Sequence, residues 1–193
     1  MLFRVFPLRP GAAPDPLAVP RAAQGGGRHD HPDEYTALYL AREAVSAVAE
    51  RVQAFRGQEM PASALVRPDG AALALAAIDD AGWPSLVDLD DPGILVAHRL
   101  RPSSVATGDR ERTQRIALDF FRAGALGLSW WSTLEASWTN VTVFRERLEA
   151  PVTIRSVTRL TLRHVVVREA AERLGVGLPP LPRGRGLLIA GPE

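Results

Sequence analysis

Three side chains capable of joint chemistry fall at even spacing in the run GGGRHDHPDEYTALYLAREAVSAVAE. They are Arg28, Tyr39 and Glu50, each eleven positions after the last. An arginine preceded by glycines offers a planar charged fork with no nearby Cβ to keep backbone and ligand apart, which suits a phosphate. The same GGGR also fits a flexible surface turn, and it is no nucleotide fingerprint: the G-x-G-x-x-G spacing and the P-loop lysine are both missing. A glutamate facing a pocket can stabilise a cationic sugar transition state or orient a nucleophile; on a helix flank it is an ordinary solvated carboxylate.

Other candidates weigh less. His29, Asp30 and His31 are all potential metal ligands, but neighbours in an extended loop point apart and no helical H-x-x-x-H pair supports them. No metal site is expected, and the isolated His98 and His164 read as structural. Ser132, in WWSTLEASW, lacks the G-x-S-x-G elbow of a hydrolase nucleophile. Trp130, Trp131 and Trp138 crowd that region, where they either pack a core or offer faces for stacking on a flat ring.

A loop, a strand and a helix must position these groups. LFRVFPL, near the start, alternates as an opening strand with Arg4 facing away from Phe3 and Val5. Residues 10–34 are rich in Pro, Gly, Ala and Asp and form a long irregular loop. YTALYLA, 35–41, is β-prone; from Arg42 to Phe55 apolar residues recur at helical spacing, with Glu50 off the centre of the stripe and Gly57 closing the segment. GAALALAAIDD and PSLVDLDDPG resemble two strands joined by a turn around AGWP. TGDRERTQRIALDFFRAGA reads as a helix capped by Thr107 or Asp109 and ended by Gly124. LGLSWWS, WTNVTVF, PVTIRSV and RLTLRHVVV look like further strands, and REAAERLG like a last helix. The class is therefore α+β: one compact domain over residues 1–180, with a mixed β-sheet and about three helices, followed by a Pro/Gly-rich tail at 181–193.

The totals exclude several functions. The 193 residues carry a net charge of +1, too little for a general nucleic-acid binder. All 23 basic residues are arginine, as codon bias would produce and as anion recognition by guanidinium forks would also favour. Without cysteine there is no disulfide framework, thiolate metal site or catalytic thiol. No apolar run reaches the roughly 18 residues a membrane span needs, and MLFRVFPLRPG is not a signal peptide. A cytoplasmic location is expected.

Taken in order, FRVF, GGGRH, YTALYLA and AVSAVAE, then SLVDLDD, RTQRIALDFFRAGALGLSWWS and WTNVTVF, resemble the RES domain along nearly the whole chain. That family is named for its Arg, Glu and Ser and contains the toxins of RES–Xre toxin–antitoxin pairs. The resemblance implies a fold related to bacterial ADP-ribosyltransferases and an activity that destroys NAD, as a glycohydrolase or a phosphorylase. NAD is then substrate, with no cofactor required. Arg28, Tyr39, Glu50 and Ser132 match the family's catalytic positions; Arg4, Arg28, Tyr39 and Asn140 match NAD-binding ones. The implied partners are an Xre-type antitoxin and, if the reaction is phosphorolysis, inorganic phosphate; a homodimer is left open. His29 departs from a common aromatic, Trp131 from a frequent proline, and HDHPDE from a plainer loop. Two other readings stand beside this one: transfer of ADP-ribose to a protein, and a non-catalytic module on the same fold.

Overall fold

A computed structural model describes residues 1–149 and 151–180. The tail expected at 181–193 lies outside the described residues. In chain order the elements are β1 (Leu2–Leu8), β2 (Ala37–Ala41), α1 (Ala44–Val52), β3 (Ala72–Asp79), β4 (Val87–Asp88) and α2 (Pro92–Ala97). There follow α3 (Pro102–Val105), α4 (Arg110–Arg122), β5 (Gly127–Trp131), β6 (Thr139–Phe144), β7 (Thr153–Arg159) and α5 (Val165–Leu174). The three longer helices, α1, α4 and α5, are those the periodicity predicts; α2 and α3 are short additions that each begin at a proline, where a missing N–H costs nothing.

The strands form one mixed sheet in the order β4-β5-β6-β2-β1-β3-β7. The β4–β5 pair is parallel and the others are antiparallel. Two expectations from sequence change here. PSLVDLDDPG does not pair with the strand before it: only Val87 and Asp88 are strand, at the opposite end of the sheet beside β5. Asp91 then caps α2, its Oδ1 accepting from the Gly93 amide at 2.6 Å. In RLTLRHVVV the strand ends at Arg159, and the three valines open α5, capped by His164 Nδ1 accepting from Val166 N at 3.3 Å. Tertiary packing of Val167, Ala170, Ala171 and Leu174 overrides the β preference of the valines.

The sheet is covered unevenly. One face carries a continuous apolar layer from β3 across β1 and β2 to β6, including Ile78, Phe6, Leu38 and Val141. The other face carries two separate clusters. Val5, Leu73 and Leu75 pack under α1 and α5; Ala37, Leu128 and Phe144 pack under α4 with Ile116, Ala117 and Phe120. Between the clusters β1 and β2 part company: Phe3 opposite Ala41 is their one registered pair, whereas β1 pairs β3 from Leu2↔Ile78 to Leu8↔Ala72. A gap opens there on the helix-bearing face. No helix among the described residues is long and apolar enough to cross a membrane.

Leu38 is fully buried at the centre of the continuous layer, whereas Ile154 on edge strand β7 is 39% exposed. Leu38→Ala is expected to cost about 2–5 kcal/mol in denaturant unfolding. Ile154→Ala should cost under about 1 kcal/mol, as its side chain gives up less buried area.

Candidate active site

The gap between β1 and β2 is a cleft of about 350 Å³. Phe3, Arg4 and Val5 line it together because the edge of β1 faces it beyond the single β1–β2 pair. Tyr39 and Leu40 supply the opposite strand, Ala47, Glu50 and Arg51 come from α1, and Asn140 and Trp130 reach in from β6 and β5. Arg28 enters from the long loop and Arg110 from the first turn of α4. Arg28, Tyr39 and Glu50 therefore converge, as the spacing suggested, together with Arg4 and Asn140.

The loop that carries Arg28 is built around one carboxylate. Asp30 is buried, and its Oδ2 accepts from the amides of Gly25 (2.8 Å) and Gly27 (2.7 Å), while Oδ1 accepts from the Tyr39 hydroxyl at 2.8 Å. Tyr39 Oη in turn accepts from the His29 amide at 2.9 Å. From outside, Gln114 Nε2 donates to the carbonyls of Gly25 (3.0 Å) and Gly27 (2.9 Å), and Thr113 Oγ1 donates to that of Arg28 at 2.6 Å. Gly27 is required here: a Cβ would sit 2.5 Å from both Asp30 Oδ1 and Tyr39 Oη. Burial and the Asp30 carboxylate push the Tyr39 phenol up, so it is a neutral donor.

Arg28 is fixed by the same packing. Its Nη1 donates to the carbonyls of Val105 and Thr107, both at 2.8 Å, and its guanidinium lies 4.9 Å from the centre of the Trp130 ring. Burial lowers its pKa, as does nearby Arg110, against the opposing pull of Glu50 and Tyr39. Arg4 is lowered to about 10 by burial and then by Arg51, with Asp15 opposing. Its Nη1 is buried without a hydrogen-bond partner among the described residues. Arg51, at the exposed rim, is lowered by desolvation against the cleft wall and by Arg67, with Glu50 opposing. Four guanidiniums thus line a cleft whose lining holds one carboxylate, and none of the four forms an ion pair among the described residues.

That carboxylate is oriented. Glu50 Oε1 accepts from Asn140 Nδ2 at 3.2 Å and Oε2 from Gln53 Nε2 at 2.9 Å. Asn140 is buried, and its Oδ1 accepts from the buried Ser46 hydroxyl at 3.1 Å. The Ser46–Asn140 link fixes the amide so that its N–H groups face Glu50.

Ser132 is placed differently from the other candidates. It is buried, its Oγ accepts from the Leu134 amide at 3.1 Å, and its own amide donates to the Trp138 carbonyl at 2.7 Å. It shapes the turn between β5 and β6, and the neighbouring Thr133 lines the cleft. The would-be metal triplet is dispersed. His29 is buried with Nδ1 2.8 Å from Thr142 Oγ1, Asp30 serves the glycine loop, and His31 pairs with Tyr35 in an isolated bridge. His29 also stands edge-on to Trp130, centroids 5.3 Å apart, and so fills an aromatic's place. Arg51 and Arg110 were not singled out from sequence, and Asp30 was weighed only as a metal ligand, not as the organiser of the glycine loop. The D in GGGRHD was a signal for the last, since a carboxylate can gather the amides of a glycine loop.

The RES domain family model matches residues 1–164. Among solved structures, a chain in the crystal structure of the M. tuberculosis MbcT–MbcA toxin–antitoxin complex is similar, with TM-score 0.63 and 23% identity. The match covers 90% of this chain and 87% of that one, and at this identity it speaks for a shared fold. A comparison with curated proteins gives no match.

Gly27→Ala should displace the Tyr39 hydroxyl from Asp30 and cost about 1–3 kcal/mol in denaturant unfolding, the usual penalty of overpacking. His29 yields a pH signature. Burial first, then Arg28 and Arg110, holds its pKa down to about 3, against about 6.5 for an unhindered histidine. Above about 6.5 both folded and unfolded states are neutral there. As pH falls toward 3 the unfolded chain binds a proton that the fold refuses, so stability is lost. The wild-type loss between pH 6 and 4 should exceed that of His29→Asn by up to about 1.4 kcal/mol per pH unit. Equal slopes would show that His29 is not held neutral.

Proposed function

The chain belongs to the RES domain family, and from the make-up of its cleft we propose that it is a toxin-type enzyme that destroys NAD by cleaving the bond between nicotinamide and ribose. One observation carries this reading: a single oriented carboxylate, Glu50, in a cleft lined by four guanidiniums without ion-pair partners among the described residues. NAD has the complementary pattern, a negative pyrophosphate at some distance from a sugar carbon that becomes cationic as the nicotinamide leaves.

In this reading Arg28 and Arg4 hold the pyrophosphate by charge-assisted hydrogen bonds. Arg28 does so from a fixed position, because two carbonyls and the Trp130 face already hold it. The ring of Tyr39, locked through its hydroxyl, lies against the nicotinamide or its ribose. Glu50 stabilises the oxocarbenium-like centre, and the Asn140 and Gln53 hydrogen bonds keep its oxygens from rotating away. Ser132 is a positioning residue that presents Thr133 and Trp130. Nicotinamide departs neutral with the electron pair of the glycosidic bond. An oxygen of water or of phosphate then bonds to the anomeric carbon; the water route releases a proton and gives ADP-ribose, the phosphate route ADP-ribose 1″-phosphate.

A solved structure similar to this chain is of a toxin–antitoxin complex. We extend that arrangement to this protein, with an Xre-type antitoxin covering the cleft mouth in the cytoplasm, where NAD is available.

Purified protein should convert NAD to free nicotinamide, followed by chromatography, and Glu50→Ala should lower kcat by about a hundred- to a thousand-fold. Arg28→Ala should also raise KM, because it removes ground-state binding. Near-normal NAD loss by Glu50→Ala would overturn the assignment. Running the reaction in phosphate and in phosphate-free buffer separates the two products and identifies the acceptor.

A further inference from the structure

Glu50 carries the proposed reaction, yet it stands exposed on α1, where a long side chain is free to swing among rotamers. One of its two side-chain hydrogen bonds comes from Gln53 at the exposed rim, where water competes for both partners. The other comes from Asn140, which is buried. The buried bond is therefore the one that can hold the carboxylate still, and its support continues inward to Ser46. Ser46 and Glu50 lie four residues apart on one face of α1, while Val45, Val48, Ala49 and Val52 pack into the apolar cluster shared with α5. Ser46 is fully buried, a place where a hydroxyl costs free energy unless it is bonded and where alanine would serve the helix better. Its hydroxyl reaches across to β6 and donates to Asn140 Oδ1 at 3.1 Å.

The donors and acceptors allow one arrangement. An ionised Glu50 only accepts, so the Nδ2 end of the Asn140 amide must face it, and Oδ1 then points inward to the Ser46 hydroxyl. Without that hydroxyl the buried Oδ1 is left unbonded, and the amide gains by turning toward cleft water and away from Glu50. We propose that Ser46 is a positioning residue for the reaction: its hydroxyl locks the Asn140 amide, and the locked amide holds Glu50 Oε1 in the orientation that faces the sugar. Its effect on turnover rests on the reading of the cleft as an NAD-cleaving site; the lock itself does not.

Two measurements on the purified full chain test this. Ser46→Ala should lower kcat for NAD about ten- to a hundred-fold and leave KM within about twofold of wild type, because a misplaced carboxylate weakens the transition state more than the ground state. The loss should run through Asn140, so Ser46→Ala added to Asn140→Ala should lower kcat no further. A serine that merely packed the helix would cost the same in both backgrounds. The second measurement needs no substrate. Asn140 is the chain's only asparagine, so selective nitrogen-15 labelling of asparagine gives one side-chain amide signal in a nuclear magnetic resonance spectrum. In Ser46→Ala its protons should exchange with water at least about tenfold faster than in wild type, the factor one hydrogen bond is worth. Unchanged exchange in Ser46→Ala, or normal kcat despite a loosened amide, would overturn the proposal. A loosened amide in a protein whose wild type consumes no NAD would leave the lock standing and remove the NAD reading.

Discussion

Phe3 opposite Ala41 is the one registered contact that joins β1 to β2, while each strand is committed elsewhere along its length: β1 to β3, and β2 to β6 from Ala37↔Phe144 to Ala41↔Asn140. The two strands cannot close on each other without dragging two half-sheets, each locked to its own cluster under α1 and α5 or under α4. The continuous layer on the far face keeps the halves together, so the sheet splits on one side only. Backbone N–H and C=O groups along the parted edges are left out of the ladder, and such groups must find other partners. A cleft with two strand edges for walls is thus a consequence of sheet topology. The side chains then decide what enters it.

Asp30 turns that opening into an organised site. Alone among the loop residues it reaches both the glycine backbone and the hydroxyl on β2, so the positions of Arg28 and Tyr39 are set by the same carboxylate. Contacts from α4 through Thr113 and Gln114 bind the loop to the second half-sheet. Arg28 and Tyr39 are therefore held by the fold itself, the condition under which electrostatic stabilisation in such a cleft would need no reorganisation. The long irregular loop before β2 is short of regular structure but tightly held where it matters.

The α+β class, the opening strand, the strand at Tyr39, the helix bearing Glu50 and the capped helix from Arg110 were legible because each has a clear period and recognisable ends. Val165 to Val167 misled because β-branched residues favour strands locally, whereas the apolar spacing through Leu174 needs a helix against α1. The apolar residues of PSLVDLDD misled likewise: nothing local says that only Val87 and Asp88 join the sheet, on the far edge. Within the site, Arg28, Tyr39 and Glu50 were legible as a set through spacing and family resemblance together. Arg51 and Arg110 were not. In a chain whose every basic residue is arginine, no single one stands out until the fold shows which line the cleft.

That contrast between arginines is physical. Arg42 pairs with Asp80, Arg115 with Glu111, Arg122 with Glu34, Arg155 with Asp79 and Arg173 with Glu169. These exposed pairs are screened by solvent and are worth little to stability. The cleft arginines are partly desolvated, crowd one another, and draw on a single carboxylate among the lining residues. Crowding of like charges out of water opposes folding, so the packing of the two half-sheets must outweigh it. An anion that enters the cleft removes this opposition and binds the folded state alone, so the repulsion that weakens the empty fold becomes part of the affinity for ligand. Codon usage can fill a surface with arginine, but it does not explain why four arginines line the cleft that the parted strands create with a single carboxylate among them.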